Sequence, residues 1–180
     1  MPWKSVTLRS KETEEHNFGC KLFDQRKYNE AEEVLQQAVH GRERTLGQDH
    51  EATLYSKHWL GVTLYEQKKY GQAEEVLQQA VRRRERTLGQ DHEATLYSKY
   101  CLGRALYDQK KYSEAEGLLQ QAVDGQERTL GQDHEYTLYS KHWLGLTLNE
   151  QKRYDEAKEV LQQAVRGLER TLGQDHEYTL

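Results

Sequence analysis

Proline occurs once in the 180 residues, at Pro2, so nothing downstream interrupts a helix. Two cysteines, Cys20 and Cys101, make no disulfide framework and have no metal-finger spacing. Hydrophobic residues are scarce at 35%, and the mean hydropathy of −1.08 argues against a thick globular core. No run approaches the roughly 20 apolar residues that span a bilayer, and the N-terminal stretch lacks the apolar segment of a signal peptide. Charge of one sign is not in excess either. With 26 basic against 30 acidic residues the net charge is −4, whereas a nucleic-acid binder usually carries a strongly basic footprint. These absences predict a cytoplasmic chain without a membrane or nucleic-acid partner.

What the sequence has is repetition. The string TLGQDHE begins at Thr45, Thr87, Thr129 and Thr171, a constant spacing of 42 residues. A more divergent copy precedes them, since Tyr28, Ala31, Leu35 and Ala38 align with Tyr70, Ala73, Leu77 and Ala80. The predicted organisation is an N-terminal extension over 1–10, a divergent repeat over 11–44, and repeats over 45–86, 87–128 and 129–170. The start of a further repeat occupies 171–180.

Each unit reads as two helices. Helix A is predicted from about His50 to Glu66, with Asp49 as N-cap and Glu51 favourably placed against the helix dipole. Helix B is predicted to open on a cap residue in every copy: Asn29, Gly71, Ser113 and Asp155. Glu32, Glu74 and Glu116 stand three residues on, as a capping box would place them, whereas Lys158 breaks the series. Along helix B, Ala73, Val76, Leu77, Ala80 and Val81 recur at i, i+3, i+4, i+7 and i+8, one apolar stripe on a polar helix. Gly47, Gly89, Gly131 and Gly173 are predicted to supply its left-handed C-cap. A lone hairpin cannot bury such a stripe, but stacked copies can. The expected fold is all-α, a right-handed α-solenoid of eight helices. In the first unit Thr7–Lys11 resembles Thr53–Lys57 with Glu12–Glu15 added, which predicts a lengthened, more polar first helix.

Leu60-Gly61, Ala73, Leu77 and Ala80 together resemble the tetratricopeptide pattern. The longer unit is similar to the repeats of kinesin light chains and of fungal NOD-like receptors. Their signature is echoed by Leu46-Gly47, His50, Thr53-Leu54, Gln67, Lys69-Tyr70 and Ala73-Glu74. Departures are Glu51 for a proline, Lys68 for a glycine, Gly61 for an alanine and Lys57 for a tryptophan. The resemblance implies a non-enzymatic scaffold that binds a protein or peptide segment on the concave face of its A helices.

By alignment, that face comprises Tyr55, His58, Val62 and Tyr65 in the second unit. The third contributes Tyr97, Tyr100, Arg104 and Tyr107, and the fourth Tyr139, His142, Leu146 and Asn149. The copies differ at several of these positions, as ligand discrimination or drift would both allow. A rival expectation is end-to-end self-association through Val160, Leu161, Ala164 and Val165 on the last helix.

No catalytic group, metal or cofactor is expected. The Asp-His-Glu triplets at 49–51, 91–93, 133–135 and 175–177 hold metal-ligand types, but consecutive residues diverge at a helix start and cannot close on one ion. Ser56, Ser98 and Ser140 recur in every unit, unlike a nucleophile. Arg82-Arg83-Arg84-Glu85-Arg86 reads as a solvated helix end, and the cysteines as small apolar groups.

Overall fold

The computed structural model describes residues 3–172, with side chains placed over 11–171. Gly173, the triplet at 175–177 and most of the expected 171–180 segment lie outside the described residues. The described chain holds eight α-helices and no strand. They are α1 (Trp3–Asp24), α2 (Tyr28–Thr45), α3 (Glu51–Glu66), α4 (Tyr70–Thr87), α5 (Glu93–Asp108), α6 (Tyr112–Thr129), α7 (Glu135–Glu150) and α8 (Tyr154–Leu172). The chain forms two compact units, one ending at Thr87 and holding α1–α4, the other starting at Leu88 and holding α5–α8. Each unit is two helical hairpins.

Within a hairpin, the apolar stripe of helix B lies against a glycine of helix A. Ala73, Leu77 and Ala80 are fully buried, as are Ala115, Leu119 and Ala122. A Cβ built on Gly61 would stand 2.6 Å from Leu77 Cγ, and the same contact recurs at Gly19 with Leu35, Gly103 with Leu119 and Gly145 with Leu161. The departure from alanine at Gly61 thus has a steric cause. The recurrence also fixes the register of α1. Glu12–Glu15 occupy the places of residues 54–57, and the 22-residue helix gains its length at its N-terminal side rather than by an internal insertion. Its polarity reaches inward: buried Glu12 accepts from Thr45 Oγ1 at 2.8 Å.

Three expectations about helix ends need correction. The N-cap of α3, α5 and α7 is histidine, not Asp49 or its counterparts. Nδ1 of His50, His92 and His134 accepts from the backbone N–H of Ala52, Ala94 and Tyr136 at 3.1, 3.2 and 3.3 Å. The aspartates instead take arginines from helix B: Asp49 pairs with Arg83 and Arg86, Asp91 with Arg128 and Asp133 with Arg170. Helix B starts at Tyr28, Tyr70, Tyr112 and Tyr154, two residues earlier than those caps imply, which puts Asn29, Gly71, Ser113 and Asp155 inside the helix. Its N-caps Lys27 and Lys111 make no side-chain cap bond. Freed from a capping box, Glu32 accepts from Gln67 and Lys69, and Glu116 from Arg153. The C-cap reading holds where it is described. Gly47, Gly89 and Gly131 have φ of +92°, +99° and +97°, a region that an L side chain rarely enters.

Successive hairpins of one unit are joined by buried polar contacts. Lys57, standing where the resemblance leads one to expect tryptophan, is buried. Its Nζ reaches Glu43 at 2.8 Å and Gln79 at 3.2 Å. Lys141 repeats this with Glu127 at 2.6 Å and Gln163 at 3.2 Å. Buried Arg42 donates to Ser56 Oγ at 2.7 Å and to the Ala52 carbonyl at 2.8 Å. Gln126 holds the corresponding place in the second unit, where its amide nitrogen faces Ser140 Oγ at 2.7 Å and the Tyr136 carbonyl at 3.2 Å. Ser56 and Ser140 are therefore acceptors inside the junctions of their own units, since a buried polar donor needs a partner. Arg84 holds the same repeat position and reaches the Leu54 carbonyl of its own hairpin at 3.4 Å. It is 3% exposed and does not stand in the solvated helix end expected of its run.

Candidate functional site

In the first unit the A-helix face is carried by α1 and α3. Tyr55 is 47% exposed, while Val62 and Tyr65 are half-buried. His58, expected on this face, is 2% exposed and lies in the interior. Trp59 takes the more open place. It packs edge-on against Phe23 at 5.3 Å and Tyr55 at 6.4 Å.

In the second unit α5 and α7 bring together Tyr97, Tyr100, Arg104, Tyr136 and Trp143. The Arg104 guanidinium lies 5.0 Å from the Trp143 ring centre and 5.5 Å from that of Tyr100, close enough for attraction to both ring faces. Tyr97 sits 5.1 Å from Tyr136 and 5.9 Å from Tyr100. Tyr107 meets the far edge of Trp143 at 5.3 Å. Tyr100 is 9% exposed and supports the cluster from beneath. Tyr97, Arg104, Tyr107, Tyr139, His142 and Leu146 are half-buried, and Asn149 is open. The i+3 position is deep on α3 and α5, as His58 and Tyr100, but half-buried on α7, as His142. The i+4 position is half-buried where it holds Trp59 or Trp143, and buried where it holds Cys101. Trp59 and Trp143 were missed; their i+4 spacing from Tyr55 and Tyr139 was the available signal.

The electrostatics follow burial. The neighbouring Cys101 thiol and then burial hold the Tyr97 phenol well above its ordinary range. Burial, with the Arg84 charge second, pushes His58 down to about 3. Burial and then Arg42 push His16 down to about 4. His142 is lowered by burial alone. Folded-state values below the ordinary 6.5 mean that the unfolded chain binds more protons as the medium is acidified. Stability is then fully present above 6.5 and falls as pH drops towards 4 and then 3. Melting temperature is expected to decline between about pH 7 and about pH 5, before most carboxylates titrate. His58→Tyr, which copies Tyr100 at the same repeat position, is expected to flatten that decline. A melting temperature flat over this window would refute neutral buried histidines.

The triplets at 49–51, 91–93 and 133–135 are used locally, the histidine by its cap bond and the aspartate by its arginines. On α8, Val160, Leu161 and Val165 are half-buried, and Leu161 and Val165 line a cleft of about 620 Å³ together with Tyr154, which is 61% exposed. Ala164, expected on that outer face, is fully buried, and Leu161 is seated against Gly145. No described helix is long and apolar enough to cross a membrane.

The tetratricopeptide repeat profile matches residues 20–86, 52–128 and 92–170, almost the whole described chain. Among solved structures, the chain is similar to a Podosopora anserina protein classed as a kinesin light chain with nearly identical TPR-like repeats. Identity is 30%, covering 97% of this chain and 81% of that one, with a TM-score of 0.80; a point variant of the same protein gives 0.81. BtubC (BKLC) from P. vanneervenii shares the fold at 13% identity and a TM-score of 0.76, over 98% of this chain and 75% of that one. No curated protein matches the chain.

Proposed function

The chain belongs to the tetratricopeptide repeat family, whose fold serves protein interaction, and from that premise we propose that its A-helix face binds an extended protein segment. The carrying observation is the cluster on α5 and α7. Arg104 lies over Tyr100 and Trp143, with Tyr97 and Tyr107 flanking them. Half-exposed aromatics and a guanidinium held in place by ring contacts are the residue types that dominate binding energy at interfaces, because they offer large area at small entropic cost. Tyr55, Val62 and Tyr65 offer a second aromatic surface on the first unit. The rival, end-to-end association through Val160, Leu161, Ala164 and Val165, has less support, since Ala164 and Leu161 are engaged within their own hairpin.

The test is a displayed library of random linear peptides panned on the folded protein. Enriched peptides are expected to lose about tenfold or more in affinity on Arg104→Ala and on Tyr139→Ala, a loss of ~1.4 kcal/mol or more. Both variants should keep the far-ultraviolet helical signal. Enrichment of no sequence, or of sequences indifferent to both substitutions, would overturn the reading.

A further inference from the structure

We propose that the two end faces of the described array are charged to refuse one another, so that α1 of one copy cannot seat on α8 of a second in the register that joins hairpins internally. The internal junctions supply the code. Two ion pairs recur where one hairpin meets the next within a unit. A glutamate late in helix B faces a buried lysine, as Glu43 with Lys57 and Glu127 with Lys141 at 2.8 and 2.6 Å. A glutamate early in helix B faces a base in the following turn, as Glu32 with Lys69 and Glu116 with Arg153 at 2.7 and 2.5 Å.

Each position has a counterpart 42 residues along. On α8 the late glutamate is kept as Glu169, but the early one is Lys158. At the opposite end, Glu15 stands in the place of the buried lysine, and Lys27 in the place of Lys69. The Gly19–Leu35 contact certifies that register, because it repeats Gly61–Leu77 and Gly145–Leu161. Head-to-tail stacking would therefore set Glu169 on Glu15 and Lys158 on Lys27, turning both attractive pairs into like-charge pairs. The first would be the costlier. The lysine of that pair is 7–8% exposed in the internal junctions, so two carboxylates would have to share a desolvated place. Glu14 and Leu168 in the places of Ser56 and Arg42 remove the junction hydrogen bond as well.

The ends do have reason to join. Phe18 occupies the repeat position of buried Leu60 yet is 54% exposed, and Tyr154 lies open beside the α8 cleft. An array of near-identical units with exposed apolar ends is prone to open, non-closing assembly. Repulsion at fixed positions blocks the wrong contact without altering the hairpins themselves.

The test uses light scattering on a sizing column over a hundredfold concentration range. The unaltered chain is expected to hold the 21.2 kDa monomer mass throughout. Glu15→Lys and Lys158→Glu each leave one like-charge pair when alone and are expected to remain monomeric. Mixed, they offer one fully matched junction. There the lysine introduced by Glu15→Lys faces Glu169 of the other copy, and the glutamate introduced by Lys158→Glu faces Lys27. The mixture is expected to give a species of twice the monomer mass. The double variant is expected to grow further with concentration. Circular dichroism of each variant checks that these substitutions leave the helices intact. Association of the unaltered chain that Glu15→Lys and Lys158→Glu do not change would overturn the proposal. So would a mixture and a double variant that stay monomeric.

Discussion

Gly103→Ala is expected to destabilise the protein, and Gly117→Ala, in the other helix of the same hairpin, to stabilise it. Intrinsic propensity favours alanine over glycine by about 0.5–1 kcal/mol at both helix positions. Space separates them. A Cβ on Gly117 meets nothing within 4 Å, so the propensity gain should appear whole. A Cβ on Gly103 would stand 2.7 Å from Leu119 Cγ and 2.9 Å from its Cδ2. Leu119 is fully buried and has nowhere to retreat. Overpacking of this kind costs about 1–3 kcal/mol and should outweigh the propensity term. Leu119→Ala alone should lose about 2–5 kcal/mol through the cavity it opens. The double variant should lose less than the sum by about 1 kcal/mol or more, because the new methyl then enters vacated space. Urea unfolding of the unaltered chain and the four variants measures all of these. A neutral Gly103→Ala, or strict additivity with Leu119→Ala, would refute the contact that recurs in every hairpin.

Glycine and leucine at matched places in four copies also show why so much of the architecture was readable. Repetition turns a weak local signal into a strong one, so the helix count, the apolar stripe and the left-handed glycine at the end of helix B were legible. The contacts that override residue-type expectations were hidden. His50 caps a helix although histidine is no usual cap residue, because the adjacent Asp49 is drawn off by Arg83 and Arg86. Arg84 reads as part of a solvated run until the hairpin shows its acceptor in the Leu54 carbonyl, and nothing in Arg42 or Lys57 announces the acceptors they meet at a junction. The candidate face suffered from the same limit. A four-residue spacing names a stripe but leaves its centre free to shift by one position. On α3 His58 turns inward, and Trp59 and Trp143 join the half-buried residues of the face.

Four residues in the turn between helices A and B carry the largest gain in stability that substitution can be expected to give. Arg26, Lys68, Lys110 and Lys152 have φ of 59°, 62°, 62° and 65°, the left-handed region. The turn requires it. Lys68 N–H bonds to the Tyr65 carbonyl at 2.8 Å and Lys69 N–H to the Leu64 carbonyl at 2.9 Å, closing helix A, and the same bonds recur in the other copies. A side chain with a Cβ costs roughly 1–2 kcal/mol in this conformation. Glycine removes that strain and gives back about 0.5–1 kcal/mol through its freer unfolded chain. Each replacement should therefore gain about 0.5–1 kcal/mol. Arg26, Lys68, Lys110 and Lys152 are all exposed, and each lies in a separate turn. Distant, independent sites add. The quadruple variant should gain roughly 2–4 kcal/mol in chemical denaturation, with no change in the denaturant dependence. Alanine at the same four positions keeps the Cβ and should gain nothing, which isolates the backbone cause from the removal of positive charge. Equal gains from glycine and alanine would assign the effect to charge and refute the strained turn.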